Sequence, residues 1–230
     1  MSDIETKFYN AFIVKDRWIL YFKGLGVTME ISILAGLIGI VIGCVVALMK
    51  LSEPKPGKKH TVFWYIATIY VDIIRGTPSV LQLLIMWFIV FSNSKNGVLV
   101  ASLSFGINSG AYVSEIIRAG ILAVDRGQTE AGLSLGLSKA QTMKEIVLPQ
   151  AFKNVLPPIG NEFITLIKET AIVGYVSLSD LTRTASQISS RTYEAFMPLI
   201  GAAVIYFIII KMLTLLLEAL ERRLRRSDLR

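Results

Sequence analysis

The chain is poor in cysteine and histidine, with one residue of each type among 230. The single cysteine, Cys44, excludes an intrachain disulfide, and we interpret it as a small core residue because its surroundings are apolar. The sequence has no His-Glu-x-x-His helix, the pattern of many metalloproteases. It also lacks a phosphate-binding loop, which needs two glycines five residues apart and then Lys-Ser or Lys-Thr. We therefore expect no catalytic residue, no metal site and no ATP site in this chain.

We also expect no signal peptide, because the N-terminal residues include acidic groups and lack a short apolar core with a cleavage site. We expect the first membrane span to direct targeting. Apolar residues, in contrast, are abundant: 53% of the chain is hydrophobic and 10% aromatic, and the mean hydropathy is +0.58. Soluble domains contain roughly 45–50% apolar residues. The composition predicts an all-α integral membrane protein.

Apolar stretches separated by polar loops predict five transmembrane helices, since each needs about 20 residues. Between Ile31 and Met49 no residue is charged, and Gly36, Gly39 and Gly43 recur there at helical spacing. These glycines would let a neighbouring helix approach closely. Within a single transmembrane domain over 1–230, we predict the following spans: 24–50, 61–92 with a kink at 75–78, 98–124, 155–177 and 195–220.

The distribution of lysine and arginine predicts the orientation of these spans. Both residues are more frequent on the side that carries the loop at 50–60, the segment 125–150 and the C-terminal tail. By the positive-inside rule that side is cytoplasmic, so the N-terminus lies outside and the C-terminus inside. The net charge of +7 is then explained by orientation and anionic lipid rather than by nucleic acid.

The polar segment 125–150 contains the stretch EAGLSLGLSKAQTMKEIVLP, from Glu130 to Pro149. Its pattern predicts a helical hairpin: a first helix stopped by Gly136 in a left-handed cap, and a second opened by a Ser138–Gln141 capping box and ending before Pro149. So small a hairpin cannot bury all its apolar positions, which indicates docking to a partner. The alternatives are a loop that lies on the lipid headgroups and a helix-turn-helix that binds DNA. The second is disfavoured, because the hairpin has few basic residues.

The same stretch carries a family resemblance. It resembles the EAA signature of ATP-binding cassette importer permeases, which reads EAA, three residues, G, nine residues, I, one residue, LP. Every fixed position of the signature matches except position 132, where this chain has glycine and the family usually has alanine. The resemblance implies that the hairpin forms coupling helices, placed between the third and fourth helices of a type I importer permease fold. The coupling residues that it implies are Glu130, Ala131, Gly132, Gly136, Leu148 and Pro149.

Further elements resemble the permeases for polar amino acids: RGTP at 75–78, LPQA at 148–151 and LPPIGN at 156–161. The likeness extends over about 55–225. It implies a transport subunit without its own ATPase, in the inner membrane of a prokaryote. The implied partners are nucleotide-binding subunits that carry ATP and Mg, a second permease that is identical or similar, an extracytoplasmic binding protein and an amino acid.

Polar groups inside the predicted spans are candidates for the substrate pathway, because such groups are expensive in lipid unless they are paired or functional. Asn108, Tyr112 and Glu115 share one helical face, as do Asn161, Thr165 and Lys168. An amino acid needs a cation for its carboxylate and an anion for its ammonium. The candidates are Arg75, Thr77, Gln82, Asn108, Tyr112, Glu115, Asn161, Glu162, Thr165 and Lys168. The alternative is structural pairing, of Arg118 with Glu115 and of Lys168 with Glu162 or Glu169.

Other functions stay open at this point. The same architecture would serve an opine, a sulfur amino acid or an osmolyte, and the sequence does not specify which solute is carried. A channel or secondary carrier would transport without ATP. A membrane-embedded enzyme is disfavoured, because the His-Glu-x-x-His pattern of metalloproteases is missing.

Overall fold

The structure is a computed structural model that describes residues 3–51 and 59–226, with side chains through Leu224. Most of the predicted loop at 50–60 and the last residues of the tail lie outside the described residues. Every regular element within the described ranges is helical. The predicted class, an all-helical protein with membrane helices, is confirmed.

Ten α-helices, α1 to α10, follow one another in the described part of the chain. They are Asp3–Phe8, Arg17–Lys50, Val62–Arg75, Ser79–Ile85, Gly97–Leu122, Arg126–Ser134, Lys139–Thr142, Leu148–Glu169, Leu181–Thr192 and Phe196–Arg226. Wider π-helical turns extend α1 over Tyr9–Ile13, extend α4 over Met86–Val90 and join α7 to α8 over Met143–Val147. A 3₁₀ segment, Thr170–Val176, follows α8.

Three helical stretches of the described part are long and apolar enough to cross a membrane: Asp3–Lys50, Gly97–Leu122 and Phe196–Leu224. The helices Val62–Arg75 and Ser79–Val90 qualify together as a broken pair. The predicted span at 155–177 corresponds to α8, which lies outside this set, and to the 3₁₀ segment after it. The polar side chains of α8 lower its hydropathy, so a fifth span stays a prediction.

The break between α3 and α4 follows from local chemistry. The helix ends at Arg75, and the amide of Gly76 donates to the carbonyl of Asp72 at 2.9 Å. Pro78 is extended, with ψ at 135°, and the next helix begins at Ser79. Proline has no amide hydrogen and biases the preceding residue away from the helical region, so Pro78 favours a break here.

The chain forms two compact units. The first comprises Met1–Gly36, Pro78–Gly106 and Phe163–Leu215, and the second comprises Leu37–Thr77, Ile107–Glu162 and Leu216–Arg230. One apolar cluster of the first unit groups Ile31, Ala35, Leu83, Ala101, Phe105, Leu166, Val173 and Val176. A second cluster of that unit groups Tyr21, Leu181, Ala185, Ile188 and Ala202.

Glycines bring α2 and α5 together in the second unit. A Cβ added to Gly39 would lie 2.9 Å from Cβ of Ser109, and one added to Gly43 would lie 2.5 Å from Cγ1 of Val113. Gly110 of α5 approaches Ile42 in the same way. The expected role of the α2 glycines in close helix packing is confirmed. Cys44 of the same helix is exposed, so its interpretation as a core residue is wrong.

Candidate functional site

The first arm of the hairpin is α6, which has well-defined ends. The carboxylate of Asp125 accepts from the amide of Gly127 at 2.7 Å and caps the N-terminus. At the other end Gly136 has φ at 84°, in the left-handed region, and Leu137 N–H donates to the carbonyl of Gly132 at 3.1 Å. This is the Schellman arrangement that glycine favours. The predicted left-handed stop at Gly136 is confirmed.

The second arm begins as the sequence predicts and ends differently. Ser138 and Gln141 form the predicted capping box before α7. However, the wide turn Met143–Val147 leads directly into α8 at Leu148, so the expectation of an end before Pro149 is wrong. Pro149 lies in the first turn of α8, where a missing amide hydrogen is tolerated. The arm is therefore continuous with α8, which can transmit a force applied to the hairpin.

Gly132, the departure from the EAA pattern, has a steric explanation. It is buried, and a Cβ placed on it would lie 2.7 Å from Cγ2 of Thr142 and 2.9 Å from Cδ1 of Ile146. The second arm thus occupies the space that an alanine methyl would take. Glycine at 132 is matched to the β-branched residue at 142.

The other predicted coupling residues lie on the surface of the hairpin. Glu130, Ala131, Gly136, Leu148 and Pro149 are exposed. Apolar side chains accompany them: Leu135 is 82% exposed, Leu148 45% and Met143 42%. Exposed apolar side chains on so small a hairpin are consistent with the predicted docking to a partner, which stays a prediction.

Exchanging Gly132 for alanine is expected to destabilise the hairpin by about 1–3 kcal/mol, as overpacking does. Alanine gains roughly 1 kcal/mol of helix propensity, but Thr142 is fully buried, and its methyl and hydroxyl would lie 2.7 Å and 3.0 Å from the added Cβ, so it cannot move away easily. Adding Thr142→Ala should restore the stability, because it removes both the methyl and the hydroxyl. Thermal unfolding of the purified wild type, the single variants and the double variant measures this coupling. Additive effects of the two substitutions would contradict it.

The predicted polar residues fall in both units. Gln82, Thr165 and Lys168 belong to the first unit, and the other candidates belong to the second. In the second unit the guanidinium of Arg75 lies over the ring of Tyr112, 5.1 Å from its centroid, in a cation–π contact. Thr77 donates its hydroxyl to the carbonyl of Ile73 at 2.8 Å, which satisfies a carbonyl near the end of α3. Asn108 is buried, whereas Asn161 is exposed.

Glu115 belongs to an ion-pair cluster. Lys50 Nζ lies 2.5 Å from its Oε1, and Arg118 Nη2 lies 3.4 Å from its Oε2. The structural pairing of Arg118 with Glu115, considered from their spacing, is thus present. Lys50 was not expected to take part, because it lies at the end of α2, 65 residues from Glu115. Both oxygens of this carboxylate are engaged, so its role as a substrate ligand stays a prediction.

Glu162 has different surroundings. Its half-buried carboxylate accepts a hydrogen bond from the Ser109 hydroxyl, with Oγ and Oε1 2.9 Å apart. Ser109 lies one residue from the predicted Asn108, but its own part in the site was not predicted. A half-buried anion held by a neutral donor is suited to bind a cationic group.

The chain is an all-helical membrane protein, and it carries a surface hairpin formed by α6 and α7. The family of binding-protein-dependent transport system inner membrane components matches residues 39–226, and the chain belongs to that family. It is a transport subunit, and the predicted family resemblance is confirmed.

Individual proteins agree with this assignment. The chain is 44% identical over 225 residues to the arginine transport system permease protein ArtQ of Bacillus subtilis, covering 96% of this chain and 98% of that protein. It is 36% identical over 212 residues to the L-cystine transport system permease protein TcyB of the same organism, with 91% and 88% covered. The solved structure of an amino acid ABC transporter with histidines is similar with a TM-score of 0.81 and 44% identity, over 89% of this chain and 94% of that one.

Proposed function

We propose that this chain is the membrane-spanning permease of an ATP-binding cassette importer that moves polar amino acids inward across the cytoplasmic membrane of a prokaryote. Separate nucleotide-binding subunits would hydrolyse ATP with Mg, and an extracytoplasmic binding protein would deliver the substrate. Two permeases, identical or similar, would form the pathway. The proposal rests on the hairpin. It has exposed apolar side chains such as Leu135, a defined turn at Gly136 and a direct continuation into the long helix α8.

The topology is part of the proposal. We place the N-terminus outside, the C-terminus in the cytoplasm and the hairpin on the cytoplasmic side, with α8 as the fourth of five spans. A polar fourth span is reasonable in a permease, because polar side chains are tolerated at membrane depth where they line a water-filled path.

Coupling would follow from the continuity of the hairpin with α8. When the nucleotide-binding subunits close on ATP, a docked hairpin would move with them, and α7 would transmit that movement through Met143–Val147. The exposed residues Glu130, Ala131, Leu135 and Leu148 would make the contact. The assembled complex would therefore be an ATP-driven transporter, although this subunit hydrolyses nothing.

The substrate class rests on the named relatives and on charge. A permease named for arginine is 44% identical to this chain, and Glu162 offers a half-buried anion for an ammonium or guanidinium group. Arg75 is the candidate for the substrate carboxylate. The permease named for L-cystine favours a second candidate, a sulfur amino acid, on the same architecture. An opine, an osmolyte or transport without ATP are weaker alternatives.

Reconstitution of the chain in vesicles, together with the ATPase and binding protein encoded next to it, tests this function. We expect uptake of one or a few polar amino acids that requires ATP and the binding protein, with arginine and cystine as the first substrates measured. Vesicles without the ATPase provide the control. Uptake that survives its removal would contradict the proposal.

A further inference from the structure

The segment Asp3–Ile13 is a separate structural element, although its sequence continues into the first long helix. It is helical through Phe8 and continues as a wider turn through Ile13. The chain is then kinked at Lys15 and Asp16, whose φ angles are 54° and 52°. A left-handed conformation costs roughly 1–2 kcal/mol for each residue that is not glycine, so packing elsewhere must hold this kink.

Three contacts provide that packing, all within the first unit. Ala11 is buried, and the ring of Phe12 stacks on Tyr21 with centroids 5.2 Å apart. Phe12 also lies against Gly201 of α10, where an added Cβ would overlap its ring. Arg17 donates to the carbonyl of Asn10. The segment is therefore held across the beginnings of α2 and α10.

The side of the segment that lines a cleft with Met197 of α10 is apolar and exposed. Ile4 is 65% exposed, Phe8 51% and Ile13 47%, and Tyr9 lies beside them. Together with Met197 and Glu5, these residues line an open, mainly apolar cleft of about 530 Å³. The contacts with α2 and α10 leave this side uncovered.

The apolar surface continues onto two membrane helices. Trp18, Ile19 and Phe22 are exposed at the start of α2, and Phe196, Leu199 and Ile200 at the start of α10. Both helices belong to the stretches that are able to cross a membrane. Met197, which lines the cleft, lies next to the exposed Phe196 at the start of α10. The lipid that covers the start of this span therefore also reaches the cleft.

The charges of the segment indicate which interaction would hold it at the lipid. Asp3 and Lys7 form an ion pair at 2.6 Å, and Glu5 is the other charged side chain in the segment. The segment thus has no excess of basic residues, and apolar burial must supply its affinity for lipid. Interfacial helices that bury an apolar face lie at the boundary between headgroups and acyl chains.

We propose that Asp3–Ile13 is an interfacial anchor that lies along the bilayer surface, with Ile4, Phe8, Tyr9 and Ile13 in contact with phospholipid acyl chains. It holds the ends of α2 and α10 at the level of the headgroups. Aromatic residues are enriched at this level in membrane proteins, as Tyr9, Trp18 and Phe22 illustrate. The proposal requires only that the chain is a membrane protein and does not depend on its substrate.

Spin labels measure the depth of each side of the segment. The complete transporter, with Cys44→Ser as background, is reconstituted in vesicles of phosphatidylethanolamine and phosphatidylglycerol. Labels are placed at Phe8→Cys and Ile13→Cys on the apolar side, and at the exposed Thr6→Cys and Asn10→Cys as matched controls. Collision with oxygen, which concentrates in lipid, is compared with collision with a water-soluble nickel complex.

We expect the labels at 8 and 13 to collide with the nickel complex at least about threefold less often than those at 6 and 10, and more often with oxygen, as burial below the headgroups requires. Equal nickel collision on both sides would place the segment in water and overturn the proposal. Exclusion of both reagents at 8 and 13 would also overturn it, in favour of a protein partner such as a second copy. The same depth is expected in phosphatidylcholine alone, and a depth that requires phosphatidylglycerol would contradict apolar anchoring.

Discussion

Replacing Gly136 with proline is expected to abolish ATP-driven uptake while the chain remains inserted in the membrane. Gly136 has φ at 84°, whereas proline fixes φ near −65°. Proline also lacks the amide hydrogen that Gly136 donates to the carbonyl of Leu133 at 3.0 Å. Both losses fall on the turn between the arms of the hairpin, so they displace the predicted docking surface without affecting the two apolar clusters of the first unit.

The size of the effect follows from the contact that is lost. A weakening of docking by about 3 kcal/mol corresponds to roughly 100-fold lower affinity. Co-purification of the ATPase with the permease should therefore fall below detection at ordinary concentrations, together with uptake. Far-ultraviolet circular dichroism should change little, because α6 and α7 are short.

Asparagine at the same position provides the matched control. It tolerates the left-handed region better than other side chains and keeps the amide hydrogen, and an added Cβ at Gly136 meets no atom within 4 Å. The asparagine variant should retain most of the uptake. A proline variant that binds the ATPase as the wild type does would show that the hairpin is not the docking element.

Features determined by neighbouring residues could be predicted from the sequence. The stop at Gly136, the capping box of Ser138 and Gln141, and the close approach at Gly39 and Gly43 each depend on a few side chains at fixed spacing. Such local rules hold because the backbone geometry of a helix end or a helix contact is nearly the same in every protein.

Contacts between residues far apart in the chain could not be predicted in this way. Ser109 lies 53 residues from Glu162 and Lys50 lies 65 from Glu115, so helical spacing says nothing about either pair. The match of Gly132 to Thr142 depends on how the two arms pack. No sequence signal predicts the wide turn at Met143–Val147, which continues the second arm into α8. Without it, the sequence predicts that the second helix ends before Pro149.

Neutralising Glu162 tests the substrate pathway directly. Glu162→Gln keeps the size of the side chain and its ability to accept from Ser109, but removes the negative charge. If that charge binds the cationic group of the substrate, about 1.5–3 kcal/mol of interaction is lost, as for hydrogen bonds to charged groups. Uptake at low substrate concentration should then fall by roughly 10-fold to 100-fold, while the ATPase still binds, because the hairpin is unchanged.

Two further variants separate charge from structure. Glu218→Gln makes the same chemical change on α10, where Glu218 is exposed and lies 4.0 Å from Arg222, and it should leave uptake unaffected. Ser109→Ala removes the donor that positions the Glu162 carboxylate but keeps its charge, so a smaller loss is expected than for Glu162→Gln. If Glu162→Gln and Glu218→Gln transport equally well, the carboxylate at 162 has a structural role, and the pathway must use other groups.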